Sequence, residues 1–257
     1  MARPVIVLQN YWNVSTVDAA RVEMQALMLE CHDRGEGGDN RTLGASRLAR
    51  LHPERYPHIL KFERDPILRR TAAHHLRLER VSVDVLASTT GTGAASGGGW
   101  HKDQQARGFK ALMYLDDVDA SNGPFAMLLD YRDAMVQPLP GRLGRRYSDA
   151  AIVAAIKGGA RVRTFHAPRG TVILFETSNI HRGTPCERGV RHTLTNYYEN
   201  TPNACSRTVA PSVQARPSRR TSRSLLSRMW ATIGAPGGTA SGPRQAGNGA
   251  GWASHDS

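Results

Sequence analysis

Long apolar runs are missing from this sequence. The longest, such as TVILF at 171–175, fall far short of the roughly 20 residues that cross a bilayer as a helix, so a soluble protein is expected. Cysteine is scarce as well: Cys31, Cys186 and Cys205 are odd in number and show no CxxC spacing. That excludes a disulfide framework and a cysteine-built zinc site, and points to a reducing cytoplasm. The N-terminus MARPVIVLQNYW carries one Arg and a short patch broken by Gln9 and Asn10. It therefore lacks the pattern of a secretory signal.

Acidic residues are outnumbered, 22 Asp and Glu against 34 Lys and Arg, which leaves a net charge of +12. The surplus is uneven. From residue 202 onward seven arginines face only Asp256, so half of the excess lies in the last 56 residues. A nucleic-acid-binding protein needs its charge on the folded core with aromatics interleaved, so no specific nucleic acid is expected as a partner.

What is present divides the chain. A length of 257 residues suits one substantial core. Residues 1–79 read as helical support. STVDAARVEMQALMLECHDRG has a Ser15-x-x-Asp18 start, apolar positions at helical spacing and Gly35 as a stop. DPILRRTAAHHLRLE at 65–79 places Pro66 at the first helical position. Over 80–201 the texture turns to short β-prone runs at 80–89, 108–118, 124–131, 161–167, 170–177 and 191–200, with a Ser148-capped helix at 147–159 among them. Asn122-Gly123 between two apolar runs predicts a hairpin. Strands after helices make the fold class α+β, an antiparallel β core with helices outside. Residues 202–257 are rich in Pro, Gly, Ser and Arg and read as a disordered tail. Within it 221–234 has the pattern of a short basic amphipathic helix, which docks on the protein's own core or stays mostly unfolded, with a membrane surface or a partner as the other docking sites.

One stretch poses the functional question. GGGWHKDQQARG at 97–108 sets His101 two residues before Asp103, and on a strand such a pair shares one face. With ten His and 22 acids in 257 residues, about one such triplet arises by chance. The second occurrence, His52-Pro53-Glu54, has proline at its centre and belongs to a turn or helix start. His101 instead follows a glycine-rich segment and precedes a convincing strand. His181, after the apolar strand GTVILFE, is the candidate third ligand, giving the two-His-one-carboxylate set that leaves positions open on non-haem iron. Arg191, ten residues on, and Thr193 on the same face suit the distal carboxylate of 2-oxoglutarate. Lys102 points away from His101 and is expected in solvent, Trp100 at a barrel edge, and Cys186 as a buried inert thiol. Tyr197 and Tyr198 are expected to divide between core and pocket.

GWHKD, LDDVDASNGPFAML, GTVILFETSNIHRGTP and RHTLTNYYE together resemble the phytanoyl-CoA dioxygenase-like family of Fe(II)- and 2-oxoglutarate-dependent oxygenases over roughly 80–200. The resemblance implies a double-stranded β-helix, a cupin-like jelly roll, with outer helices. It implies iron held by His101, Asp103 and His181, 2-oxoglutarate anchored by Arg191, and O2 as oxidant for hydroxylating a C–H bond of a small organic or acyl substrate. Two departures stand out. LLDYRDAM replaces a GSH-like segment after the hairpin, and Gly183 stands where a polar residue is frequent. Thr184 or Thr193 is then left to help hold the co-substrate, with Lys110 as the other anchor. The alternative is a catalytically silent metal-binding barrel serving binding or assembly. A halogenase needs a small residue where Asp103 stands.

Overall fold

The computed structural model describes residues 5–33, 38–40, 45–49, 55–95, 98–103, 108–140 and 146–199. The tail from 202, its segment 221–234 and the triplet His52-Pro53-Glu54 lie outside the described residues. Among the described residues no helix is long and apolar enough to cross a membrane.

Among the described residues, ten strands form two antiparallel sheets. They are β1 (Val5–Leu8), β2 (Gly38–Asn40), β3 (Ala45–Ala49), β4 (Ser82–Gly91), β5 (Phe109–Tyr114), β6 (Phe125–Leu129), β7 (Arg161–Phe165), β8 (Val172–Glu176), β9 (His181–Gly183) and β10 (Val190–Glu199). The large sheet runs β1-β8-β5-β10-β4-β3-β2 and the small one β7-β6-β9. After β4 the chain crosses to the small sheet, where His101 bridges to His181. It returns for β5, crosses again for β6 and β7, and repeats the exchange through β8, β9 and β10. This alternation is the jelly roll, and with its outer helices the fold is α+β.

Alternation along each strand sorts the side chains into three layers. Ala111 and Met113 of β5, Val172 and Leu174 of β8 and Leu194 of β10 pack outward. There they meet α1 (Val14–Asp33), α2 (Pro57–Glu63) and α3 (Pro66–Leu76), through Val17, Met24, Ile59, Phe62 and Leu68. The opposite parity, Tyr114, Ile173 and Phe175, faces Phe125, Met127 and Phe165 of the small sheet. Ala126 and Leu128 cover the far side with Trp100, Ile180 and Ile152 of α4 (Asp149–Lys157).

Several sequence expectations are corrected. α1 starts at Val14 rather than at Ser15, because the Asn13 carboxamide oxygen accepts the Thr16 amide at 2.9 Å. α2 carries Pro57 at its first position, a local start signal, but its preceding residue, Tyr56, makes no side-chain cap. Glu23 of α1 reaches across instead and accepts the amides of His58 and Ile59. Residues 1–79 are more than helical support, because β1, β2 and β3 extend the large sheet at both edges. Runs of three to five residues are too short to announce themselves, and open sheet edges recruit them. Asn122-Gly123 makes a turn but no hairpin, since β5 and β6 lie in different sheets. The Asn122 side chain donates to the Asp117 carbonyl and accepts the Asp119 amide. Gly123 has φ +77, and a Cβ there would meet the Thr184 carbonyl at 2.9 Å. The local turn is therefore as the dipeptide specifies, but the crossing between sheets is decided by the two hydrophobic faces.

Tyr114 fastens the sandwich from within. Its fully buried hydroxyl donates to the Phe165 carbonyl at 3.0 Å and accepts the Phe125 amide at 2.8 Å, so β5 of one sheet grips β6 and β7 of the other. Tyr114→Phe leaves both groups unsatisfied in the core, and a loss of about 2–3 kcal/mol in urea unfolding is expected. A loss below about 0.5 kcal/mol would show that the two partners find other bonds.

Candidate metal centre

His101 and His181 lie opposite each other and exchange both backbone hydrogen bonds, at 3.0 and 2.9 Å. The Asp103 amide then donates to the Thr177 carbonyl at 3.2 Å, which keeps the segment extended. Alternation does the rest. Trp100 and Lys102 point to the outer cluster while His101 and Asp103 point inward, where His181 also projects from β9. One ligand atom from each of the three residues falls within 4.8 Å of the others. His101 Nε2 is 3.6 Å from Asp103 Oδ1, and His181 Nε2 is 3.9 Å from Oδ2.

The histidine nitrogens have fixed roles. His101 Nδ1 lies 2.8 Å from the Gly99 carbonyl, and His181 Nδ1 lies 2.8 Å from the Asn179 carbonyl. A carbonyl only accepts, so each Nδ1 carries the proton, and in the neutral ring Nε2 keeps its lone pair. Both lone pairs lie toward Asp103. This is the outer-shell arrangement that orients metal-ligating imidazoles, so the donor set fits a transition-metal ion. Burial, then the neighbouring His181, pushes the His101 ring well below its usual value against the opposing pull of Asp103. Burial works to raise the Asp103 carboxyl, but Lys110, His181 and His101 outweigh it and hold it at about 2. Phe175 and Phe125 pack beside the His181 ring, with centroids 5.0 and 5.6 Å from its own.

The inner face of the large sheet continues the site as a polar stripe. Arg191 is opposite Thr90, and Thr193 opposite Ser88 on one side and Tyr114 on the other. The Arg191 guanidinium is buried, with Nη2 3.4 Å from the Thr90 hydroxyl. Burial lowers its affinity for protons, while Tyr114, Cys186 and Asp116 act the other way. Thr193 shares a 3.0 Å hydrogen bond with Ser88.

Other expected positions differ. The Thr184 hydroxyl donates to the Pro124 carbonyl at 2.9 Å, so it holds the Gly123 turn rather than joining the group. Lys110 contacts Asp103, with Nζ 2.7 Å from Oδ2. It pairs with Tyr197, six positions along β10 from Arg191, about 20 Å of strand. The two cations therefore serve different ends of the inner face. Lys102 is buried, not solvated, because Asp133 meets its Nζ at 2.7 Å beside the Tyr131 ring. Cys186 is buried, and burial pushes its thiol up. Tyr198 lies in the core, and Tyr197 packs its ring 4.1 Å from Lys110 Nζ. That Lys110–Tyr197 contact escaped the sequence, although a lysine within the apolar run GFKALMY is a visible signal.

No family model matches the chain, and no curated protein matches it by sequence. Solved structures do match in fold. AviO1 from Streptomyces viridochromogenes Tue57 aligns with TM-score 0.55 and 15% identity over 84% of this chain and 94% of its own. HygX from Streptomyces hygroscopicus, with nickel, 2-oxoglutarate and hygromycin B bound, aligns with TM-score 0.53 and 14% identity over 77% and 84%. The epimerase SnoN, in complex with Fe3+, alpha ketoglutarate and nogalamycin RO, gives 0.56 and 13% over 84% and 89%.

A pH dependence follows from the low proton affinity of His101. An unfolded imidazole takes up its proton near pH 6.5 while the desolvated ring of the folded chain does not, so the unfolded state binds more protons below that pH. Without metal, stability is therefore full above about pH 6.5 and falls as the pH drops below it. Urea unfolding at a series of pH values checks this, and the fall should be shallower in His101→Gln.

Proposed function

We propose that the chain is a non-haem Fe(II)- and 2-oxoglutarate-dependent dioxygenase that hydroxylates a C–H bond of a small organic or acyl substrate. The observation that carries this reading is the pair of Nδ1-to-carbonyl bonds, which aims two unprotonated Nε2 atoms at one half-buried carboxylate. His101, Asp103 and His181 would hold the iron. Three protein ligands leave positions for a chelating 2-oxo acid and for O2. Bound there, iron with 2-oxoglutarate and O2 supplies oxidation of a C–H bond, with succinate and CO2 released.

The chain's own residues bind and orient. Arg191 would take the distal carboxylate of 2-oxoglutarate in a desolvated, charge-assisted contact. Thr193 borders this end of the stripe, and Thr90 steadies the guanidinium. Phe125 and Phe175 keep water from the histidines. Two of the fold neighbours support the same reading. HygX holds a metal and 2-oxoglutarate together with hygromycin B, and SnoN holds iron and alpha ketoglutarate with nogalamycin RO. Both hold small molecules, which supports a substrate of that class. SnoN is an epimerase, so the fold carries more than one outcome. Hydroxylation is our assignment for this chain.

The protein is expected to bind one Fe(II) per chain, and 2-oxoglutarate added without oxygen should produce a weak visible charge-transfer band. A His101→Ala, Asp103→Ala double variant that gave the same band would overturn the assignment. Arg191→Gln tests the anchor separately. It should weaken 2-oxoglutarate binding by about 2–5 kcal/mol while iron occupancy stays nearly intact, and calorimetric titration reads both.

A further inference from the structure

A lysine at the second position of β5 is an expensive choice. Burial of an ammonium costs several kcal/mol unless a counter-charge and further contacts meet it. Lys110 has both. Its Nζ lies 2.7 Å from Asp103 Oδ2, with the Tyr197 ring 4.1 Å and the Phe175 ring 6.0 Å away. The ammonium is thus confined on the Asp103 side of the inner face, and Arg191 stands at the other end of the stripe. Oδ1 of the same carboxylate remains 3.6 Å from His101 Nε2.

We propose that Lys110 is a positioning residue for Asp103: by claiming one carboxylate oxygen, it leaves only the other for the metal. The inference rests on the metal reading given above. A carboxylate that chelates through both oxygens takes two positions on an ion, whereas one held by an ammonium takes one. With two imidazoles and a single carboxylate oxygen, an octahedral ion keeps three positions open. Those three are what a chelating 2-oxo acid and O2 require together. The role differs from anchoring the co-substrate, because it acts on the metal ligand and is present with no organic molecule bound.

Mn(II) alone is the probe, since its water-proton relaxivity reports how many waters the ion carries. The parent protein is expected to hold Mn(II) with three waters. In Lys110→Met the released oxygen closes on the ion, and relaxivity per bound ion falls by about a third, to the two-water value. Lys110→Arg, which keeps a charged donor, should return to three. Three waters in Lys110→Met would overturn the proposal and leave the lysine a purely structural neutraliser of Asp103. A parent chain that binds no Mn(II) would overturn the metal reading itself, so the two failures are distinct. If Lys110→Met does not fold, Tyr197→Leu removes the ring that seats the amine. It is expected to lower the count below three, and an unchanged count there is equally fatal to the proposal.

Discussion

The architecture of the candidate site depends on one antiparallel contact, the paired backbone bonds between His101 and His181. Because the two residues face each other across the pair, their side chains leave the sheet on the same side. Each ring then folds back to the carbonyl two residues earlier, and this single bond fixes both tautomer and aim. The same parity sends Trp100 and Lys102 outward. Trp100 donates to Asp149 at 3.0 Å under the Arg182 guanidinium, so the outer layer clamps the segment that carries the ligands.

A sandwich interior that holds Lys110, Asp103 and Arg191 is costly, and the fold offsets this by separating functions. The apolar clusters lie outside the large sheet, outside the small one and between them around Tyr114 and Phe125. The polar stripe is confined to β10, β4 and the start of β5. There Ser88 meets Thr193, Thr90 meets Arg191 and Lys110 meets Asp103. Paired polar groups in a dry setting hold strict geometry, which is what binding a metal ion and a small dianion demands.

Much of the fold was legible because period and punctuation are local. Six strands, α3 with Pro66 and α4 with Ser148 follow from runs of a few residues each, and the structure places strands or helices there. The elements that were not legible depend on distant partners. Glu23 caps α2 from another helix, and β1 forms because the β8 edge is free to pair with Val5–Leu8. In the site, residue types and order pointed to His101, Asp103 and His181, and the structure gathers those three. Sequence could not separate Lys110 from Arg191 as anchors, because their distance depends on the β5–β10 register. Nor could it show Lys102 buried against Asp133, since that partner lies in a short 3-10 turn 31 residues away.

Three side chains join the jelly-roll scaffold to the proposed iron and 2-oxoglutarate chemistry, and anomalous diffraction from crystals grown with Fe(II) and 2-oxoglutarate without oxygen tests that join most directly. The predicted result is a single strong iron peak about 2 Å from His101 Nε2, from His181 Nε2 and from one Asp103 oxygen, with density for the 2-oxo acid extending toward Arg191. An iron peak on other residues, or no peak with the three side chains ordered as described, would contradict it.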